Sequence, residues 1–130
     1  MYRMILVDDE PQIRRGLEGL IPWEDYGIEI VGETDNGVSA KILIERVRPD
    51  IAIVDIRMPQ MDGLQLLAQA KELPACPKFI MLSGFDQFDY VRTAMRLGAK
   101  NYLLKPVDPE ELKAAVIDVS DRLLLGNDGV

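Results

Sequence analysis

The chain has 130 residues, 48% hydrophobic and 28% charged, a composition that suits one globular domain with a core of ordinary size. Its net charge of −7, with a pI near 4.6, argues against direct binding to a phosphate backbone, which needs a basic surface. There is no histidine; this excludes a Ser-His-Asp or Cys-His site, a histidine-ligated zinc and a phosphohistidine carrier, and leaves carboxylates, lysine, hydroxyls and a hard metal for chemistry.

In chain order, Met4-Ile5-Leu6-Val7 is an unbroken apolar run ending in Asp8-Asp9-Glu10. Pro11 suits the first turn of a helix, with the acids at its N-terminal end, where the helix dipole favours them. Ile13, Leu17, Leu20 and Ile21 follow at helical spacing and Pro22 closes the helix, with Trp23 to Gly27 as connector. Ile28-Glu29-Ile30-Val31 carries a charge in its middle, as an edge strand does. After the turn Asp35-Asn36-Gly37, Ala40, Leu43, Ile44 and Val47 form a second helical stripe.

Ile51-Ala52-Ile53-Val54-Asp55 is apolar without alternation until its last residue, the mark of a strand covered on both faces. Met58-Pro59 and Asp62-Gly63 are turn chemistry, so Asp55 sits where a central strand becomes a loop. Leu64, Leu67 and Ala68 mark a third helix. Phe79-Ile80-Met81-Leu82 is a fourth strand that terminates in Ser83-Gly84, and Phe88, Val91 and Met95 mark a fourth helix. Tyr102-Leu103-Leu104 is a short fifth strand ending in Lys105-Pro106; Leu112, Ala115, Val116, Val119 and Leu123 line a last helix. Residues 1–125 make one domain by this pattern, and 126–130 read as a frayed tail or the start of a linker to an output domain not in this chain.

Strand alternates with helix five times, which predicts an α/β doubly wound sandwich: a parallel five-stranded sheet with helices on both faces. The charged second strand wants an edge, as in the flavodoxin-like order 2-1-3-4-5. The start of the chain enters a strand rather than a signal peptide and no apolar run reaches membrane-spanning length. The lone Cys76 forbids an internal disulfide. A cytoplasmic location, without membrane contact, is expected.

The first polar residues after the apolar strands are Asp8 with Asp9, Asp55, Ser83 and Lys105, all on one rim of the sheet. In 2-1-3-4-5 order Asp8, Asp9 and Asp55 converge. Carboxylates that close need a cation to stay ionised together, and with only oxygen ligands the cation is hard, Mg²⁺ fitting best. Lys105 and Ser83 complement a phosphoryl group, one by charge and one by hydrogen bonding. The set suits in-line phosphoryl transfer onto a carboxylate, with Asp55 as nucleophile. Taken singly, each residue has a plainer use: the acid triplet as helix N-terminal acids, Ser83 as a turn residue, Lys105 as a surface charge, Tyr102 as core.

Four motifs, Val7-Asp8-Asp9-Glu10-Pro11, Asp55-Ile56-Arg57-Met58-Pro59-Gln60-Met61-Asp62-Gly63, Ser83-Gly84 and Tyr102-Leu103-Leu104-Lys105-Pro106-Val107, together resemble the receiver domain of two-component response regulators. The resemblance implies that Asp55 accepts a phosphoryl group from a sensor histidine kinase, and that Asp8, Asp9, Asp55 and the main-chain carbonyl of Arg57 bind Mg²⁺. It further implies that Ser83 and Lys105 grip phosphoryl oxygens, that Ser83 and Tyr102 move as switch residues, and that the fourth helix, fifth strand and fifth helix form the output surface. Arg57 and Phe85 resemble positions that tune phosphoryl lifetime. The resemblance also raises the expectation of a cis Lys105-Pro106 bond well above the roughly one in twenty of X-Pro bonds generally.

The segments Pro22-Trp23-Glu24-Asp25-Tyr26-Gly27 and Ser83-Gly84-Phe85-Asp86-Gln87-Phe88-Asp89-Tyr90 further resemble receivers attached to AraC-type helix-turn-helix domains. That implies a transcription regulator, a homodimer on phosphorylation, and DNA contacts only through an absent domain. The expected role is a switch and not an enzyme. An aspartyl phosphatase of the haloacid-dehalogenase type wants a second aspartate where Arg57 stands, and a flavin carrier would not place three acids after its first strand.

Overall fold

The computed structural model describes residues 1–84 and 88–125. The sequence readings that fall on Phe85, Asp86, Gln87 and 126–130 lie outside the described residues. Five strands, β1 (Tyr2–Val7), β2 (Ile28–Thr34), β3 (Ile51–Asp55), β4 (Lys78–Ser83) and β5 (Asn101–Leu104), alternate with five helices, α1 (Pro11–Gly19), α2 (Gly37–Val47), α3 (Gly63–Ala70), α4 (Phe88–Arg96) and α5 (Pro109–Leu125). A 3-10 turn at Trp23–Tyr26 leads into β2. The strands form one sheet in the order β2-β1-β3-β4-β5, every pair parallel. This is the flavodoxin-like topology expected from the alternation and the charged second strand.

The unbroken apolar runs have their cause in the two layers. Side chains of a strand alternate between faces. From β3, Ile51 and Ile53 therefore enter the core under α1 and α5, while Ala52 and Val54 enter the core under α2, α3 and α4. β1 does the same, with Met4 and Leu6 on one side and Ile5 and Val7 on the other. All five residues of β3 are buried, Asp55 included. β2 runs three residues beyond Val31 and has a register shift opposite Met4 and Ile5 that leaves Val31 unpaired, a bulge of the kind common on edge strands.

Three helix faces depart from the sequence reading. Ile21 precedes Pro22 and so disfavours the helical conformation; α1 stops at Gly19, Leu20 turns to solvent at 66% exposure, and Ile21 returns to the core. In α3, Asp62 caps the helix and exchanges side-chain and backbone hydrogen bonds with Gln65. That capping box fixes the helix phase so that Leu66, Leu67 and Ala70 are buried while Ala68 is exposed. In α4 the small Ala94 packs inward and Met95 is 47% exposed. α5 buries Leu112, Ala115, Val116 and Val119, as its stripe predicts.

Trp23 is structural, as expected of a connector. It is buried, and its Nε1 donates to the carbonyl of Leu17 at 2.8 Å, tying the turn to the end of α1. Trp23→Phe keeps most of the apolar surface and leaves that carbonyl without its donor, so a loss of about 1–2 kcal/mol in urea unfolding is expected.

Candidate functional site

The sheet register builds the site. Val7 pairs with Val54, Asp55 with Leu82 and Ser83 with Leu104, so the residues after β1, β3, β4 and β5 emerge on one rim. The chain then holds them in place. Ile56 N donates to the carbonyl of Leu82 at 2.9 Å, Gly63 N to that of Ile56 at 2.7 Å, and Lys105 N to that of Ser83 at 2.8 Å. Arg14 Nη1 donates to the carbonyl of Asp8, and its Nε to Glu33 Oε1 at 2.8 Å, fixing the β1 exit from the side. The Lys105-Pro106 peptide is cis.

Lys105 is the hub. Its ammonium lies 2.8 Å from Asp8 Oδ2, 3.3 Å from Asp55 Oδ2 and 3.4 Å from Glu10 Oε1. Asp8 is 1% exposed and Asp55 5%. Asp8 Oδ1 accepts from Glu10 N at 2.9 Å. Asp8 Oδ2, buried, has the lysine beside it as an ionic contact off the hydrogen-bonding direction, with no aligned donor among the described residues. One side-chain oxygen from each of Asp8, Asp9 and Glu10 lies within 4.8 Å of the other two. A cavity of about 250 Å³ opens over this floor, lined by Asp9, Glu10, Asp55, Arg57, Gly84 and Lys105.

Asp8, Asp55 and Lys105 are thus in contact, and Asp9 and Arg57 share their cavity. Ser83 is buried at the end of β4 beside Gly84. Tyr102 lies on β5 opposite Met81, half-buried against the core under α2, α3 and α4. Glu10, by sequence a helix N-terminal acid, also reaches Lys105 and lines the cavity. Its signal was its place next to Asp9 and directly before Pro11, which sets it as the N-cap of α1.

Electrostatics follow from burial and crowding. Burial, with the neighbouring Asp8 charge second, pushes the Asp55 carboxyl up to about 6 despite the opposing pull of Lys105. Asp9 is raised for the same two leading reasons. Burial by itself would lower the Lys105 ammonium, yet its pairing with Asp8 and Asp55 outweighs this and holds it above its ordinary value. An all-oxygen donor set, an excess of negative charge and a buried carboxylate oxygen lacking an aligned donor together fit a hard divalent cation.

The model of the response regulator receiver domain matches residues 4–117. This chain belongs to that family. The receiver is 39% identical, over 119 residues, to YesN of Bacillus subtilis, named as an uncharacterised transcriptional regulatory protein; the match covers 92% of this chain and 32% of YesN. It superposes on the REC domain of AraT, a response regulator from Geobacillus stearothermophilus, with a TM-score of 0.88 at 38% identity, covering 98% of each chain. It also superposes on the CheX-CheY-BeF3-Mg²⁺ complex from Borrelia burgdorferi with a TM-score of 0.83 at 28% identity, covering 91% of this chain and 88% of that one. The receiver spans under half of the length of the curated relatives it matches. Response regulators are signalling proteins, and transcriptional regulators stand among these relatives. Among the described residues, no helix is long and apolar enough to cross a membrane.

Proposed function

We propose that this receiver takes a phosphoryl group on Asp55 from a phosphohistidine of a sensor histidine kinase. The observation that carries the reading is the single ammonium of Lys105 bridging Asp8 and Asp55, at 2.8 and 3.3 Å, beneath a cavity open to an incoming group. One Asp55 oxygen attacks phosphorus opposite the leaving group. The bond to the donor nitrogen breaks with its electron pair on the imidazole, which takes a proton from solvent.

Asp8, Asp9, Asp55 and the main-chain carbonyl of Arg57 would hold Mg²⁺, which when bound supplies positive charge to the phosphoryl oxygens. The similar Borrelia burgdorferi structure, a complex of CheX and CheY with BeF3 and Mg²⁺, supports this reading, since beryllofluoride is a tetrahedral stand-in for a phosphoryl group. Lys105 turns from the carboxylates to one phosphoryl oxygen and Ser83 donates to another. The added charge and acceptor oxygens favour the state in which Ser83 is drawn in and Tyr102 is buried, so that population rises by its differential affinity. The α4-β5-α5 surface then changes, favouring a homodimer. An output domain of the AraC type binds DNA in the cytoplasm.

The test is incubation with acetyl phosphate and Mg²⁺ followed by intact mass. One phosphoryl group is expected on the wild type and none on Asp55→Asn. No gain, or an equal gain in the variant, overturns the reading.

A further inference from the structure

Of the three carboxylates around Lys105, Asp8 and Asp55 have proposed roles in phosphoryl transfer; Glu10, although one of its oxygens lies near those of Asp8 and Asp9, is not among the residues proposed above to hold Mg²⁺ or to take the phosphoryl group. Glu10 is nevertheless held in place: its backbone N donates to Asp8 Oδ1 at 2.9 Å, and Pro11 begins α1 directly after it. Its half-exposed carboxylate reaches Lys105 at 3.4 Å and lines the cavity wall. An incoming phosphoryl group therefore meets a negative charge at the entrance, and the lysine meant for its oxygens is shared with that charge.

We propose that Glu10 is a specificity-determining residue that disfavours dianionic small-molecule phosphoryl donors, both by holding Lys105 and by facing them with its own carboxylate. The inference rests on the phosphoacceptor reading above. Both effects are Coulombic, grow with donor charge and are screened by salt. Acetyl phosphate is a dianion near neutral pH; Asp55 oxygen attacks its phosphorus and the P–O bond breaks to release acetate. Phosphoramidate carries one net negative charge as the N-protonated zwitterion; the P–N bond breaks to release ammonia.

The experiment compares wild type and Glu10→Gln with both donors, at a Mg²⁺ concentration shown to saturate each protein, in low and high salt. The variant is expected to take up phosphoryl from acetyl phosphate about two- to five-fold faster, the range of a partly exposed ion pair. Phosphoramidate should gain less, and the difference should shrink in high salt. A purely structural role would not change the ratio between donors. In ion-free protein, reductive methylation of the Lys105 amine, read by peptide mass, should rise about two-fold in the variant. An unchanged donor ratio, equal changes with both donors, or unchanged Lys105 methylation overturns the proposal. No uptake by the wild type overturns the phosphoacceptor reading and this proposal with it.

Discussion

Gly63→Ala is expected to lower stability by about 3 kcal/mol or more, read as a fall in the urea midpoint. A Cβ on Gly63 would lie 2.3 Å from the carbonyl oxygen of Asp55 and 2.9 Å from Ile56 Cα. Overpacking usually costs about 1–3 kcal/mol when side chains can give way. Here the obstacles are backbone atoms of a buried central strand, so relief requires moving the β3 exit or the first turn of α3. Either motion strains the 2.7 Å hydrogen bond from Gly63 N to the carbonyl of Ile56. The same motion displaces Asp55, so phosphoryl uptake should fall along with stability. Gly19→Ala is the control. A Cβ there meets nothing within 4 Å, and at a helix end alanine should be neutral or stabilising by up to about 1 kcal/mol. Equal stability of the two variants would show that the loop after β3 is looser than its contacts imply.

That loop shows what a sequence can and cannot tell. The β3 run was legible because burial on both faces leaves no alternation, and Asp55 stood out as the carboxylate ending it. The strand order inferred from a charged edge strand brings Asp8, Asp9 and Asp55 together with Lys105 on the same rim; the structure joins Asp8 and Asp55 through Lys105 and sets Asp9 in the adjoining cavity. The helix faces were less legible, for physical reasons that apolar spacing does not carry. Pro22 acts on Ile21 and exposes Leu20; the Asp62–Gln65 capping box sets the phase of α3 and exposes Ala68; and a small Ala94 packs inward while Met95, one of the residues that mark the helix in sequence, is half exposed. Glu10 was missed as a partner of Lys105 because the two are far apart in sequence, and only the rim geometry sets them 3.4 Å apart.

Asp55→Asn is expected to stabilise the ion-free protein at pH 7.5 while abolishing phosphoryl uptake. Burial raises the Asp55 carboxyl from 3.8 to about 6 in the folded state. Between those values the folded protein holds a proton that the unfolded chain has lost, so stability attributable to this group falls as pH rises through the window. The penalty is absent below 3.8 and complete above about 6. A shift of that size corresponds to about 3 kcal/mol. Solvent reaching the cavity screens the charge, and asparagine forfeits the ion pair with Lys105, so a net gain of about 1–2 kcal/mol is the expected result. The gain should vanish near pH 4, where both proteins carry a neutral group at position 55. On the proposed reading Mg²⁺ should act on the wild type in the same direction: a cation present at about 100 times its Kd adds about 2.7 kcal/mol, and Asp55→Asn, with one negative charge fewer at the site, should respond less. Urea unfolding of both proteins with EDTA or Mg²⁺, at pH 4 and 7.5, separates the terms. If Asp55→Asn is no more stable than wild type at pH 7.5 with EDTA, Lys105 already neutralises Asp55 in full, and the site does not store the repulsion that a bound cation would relieve.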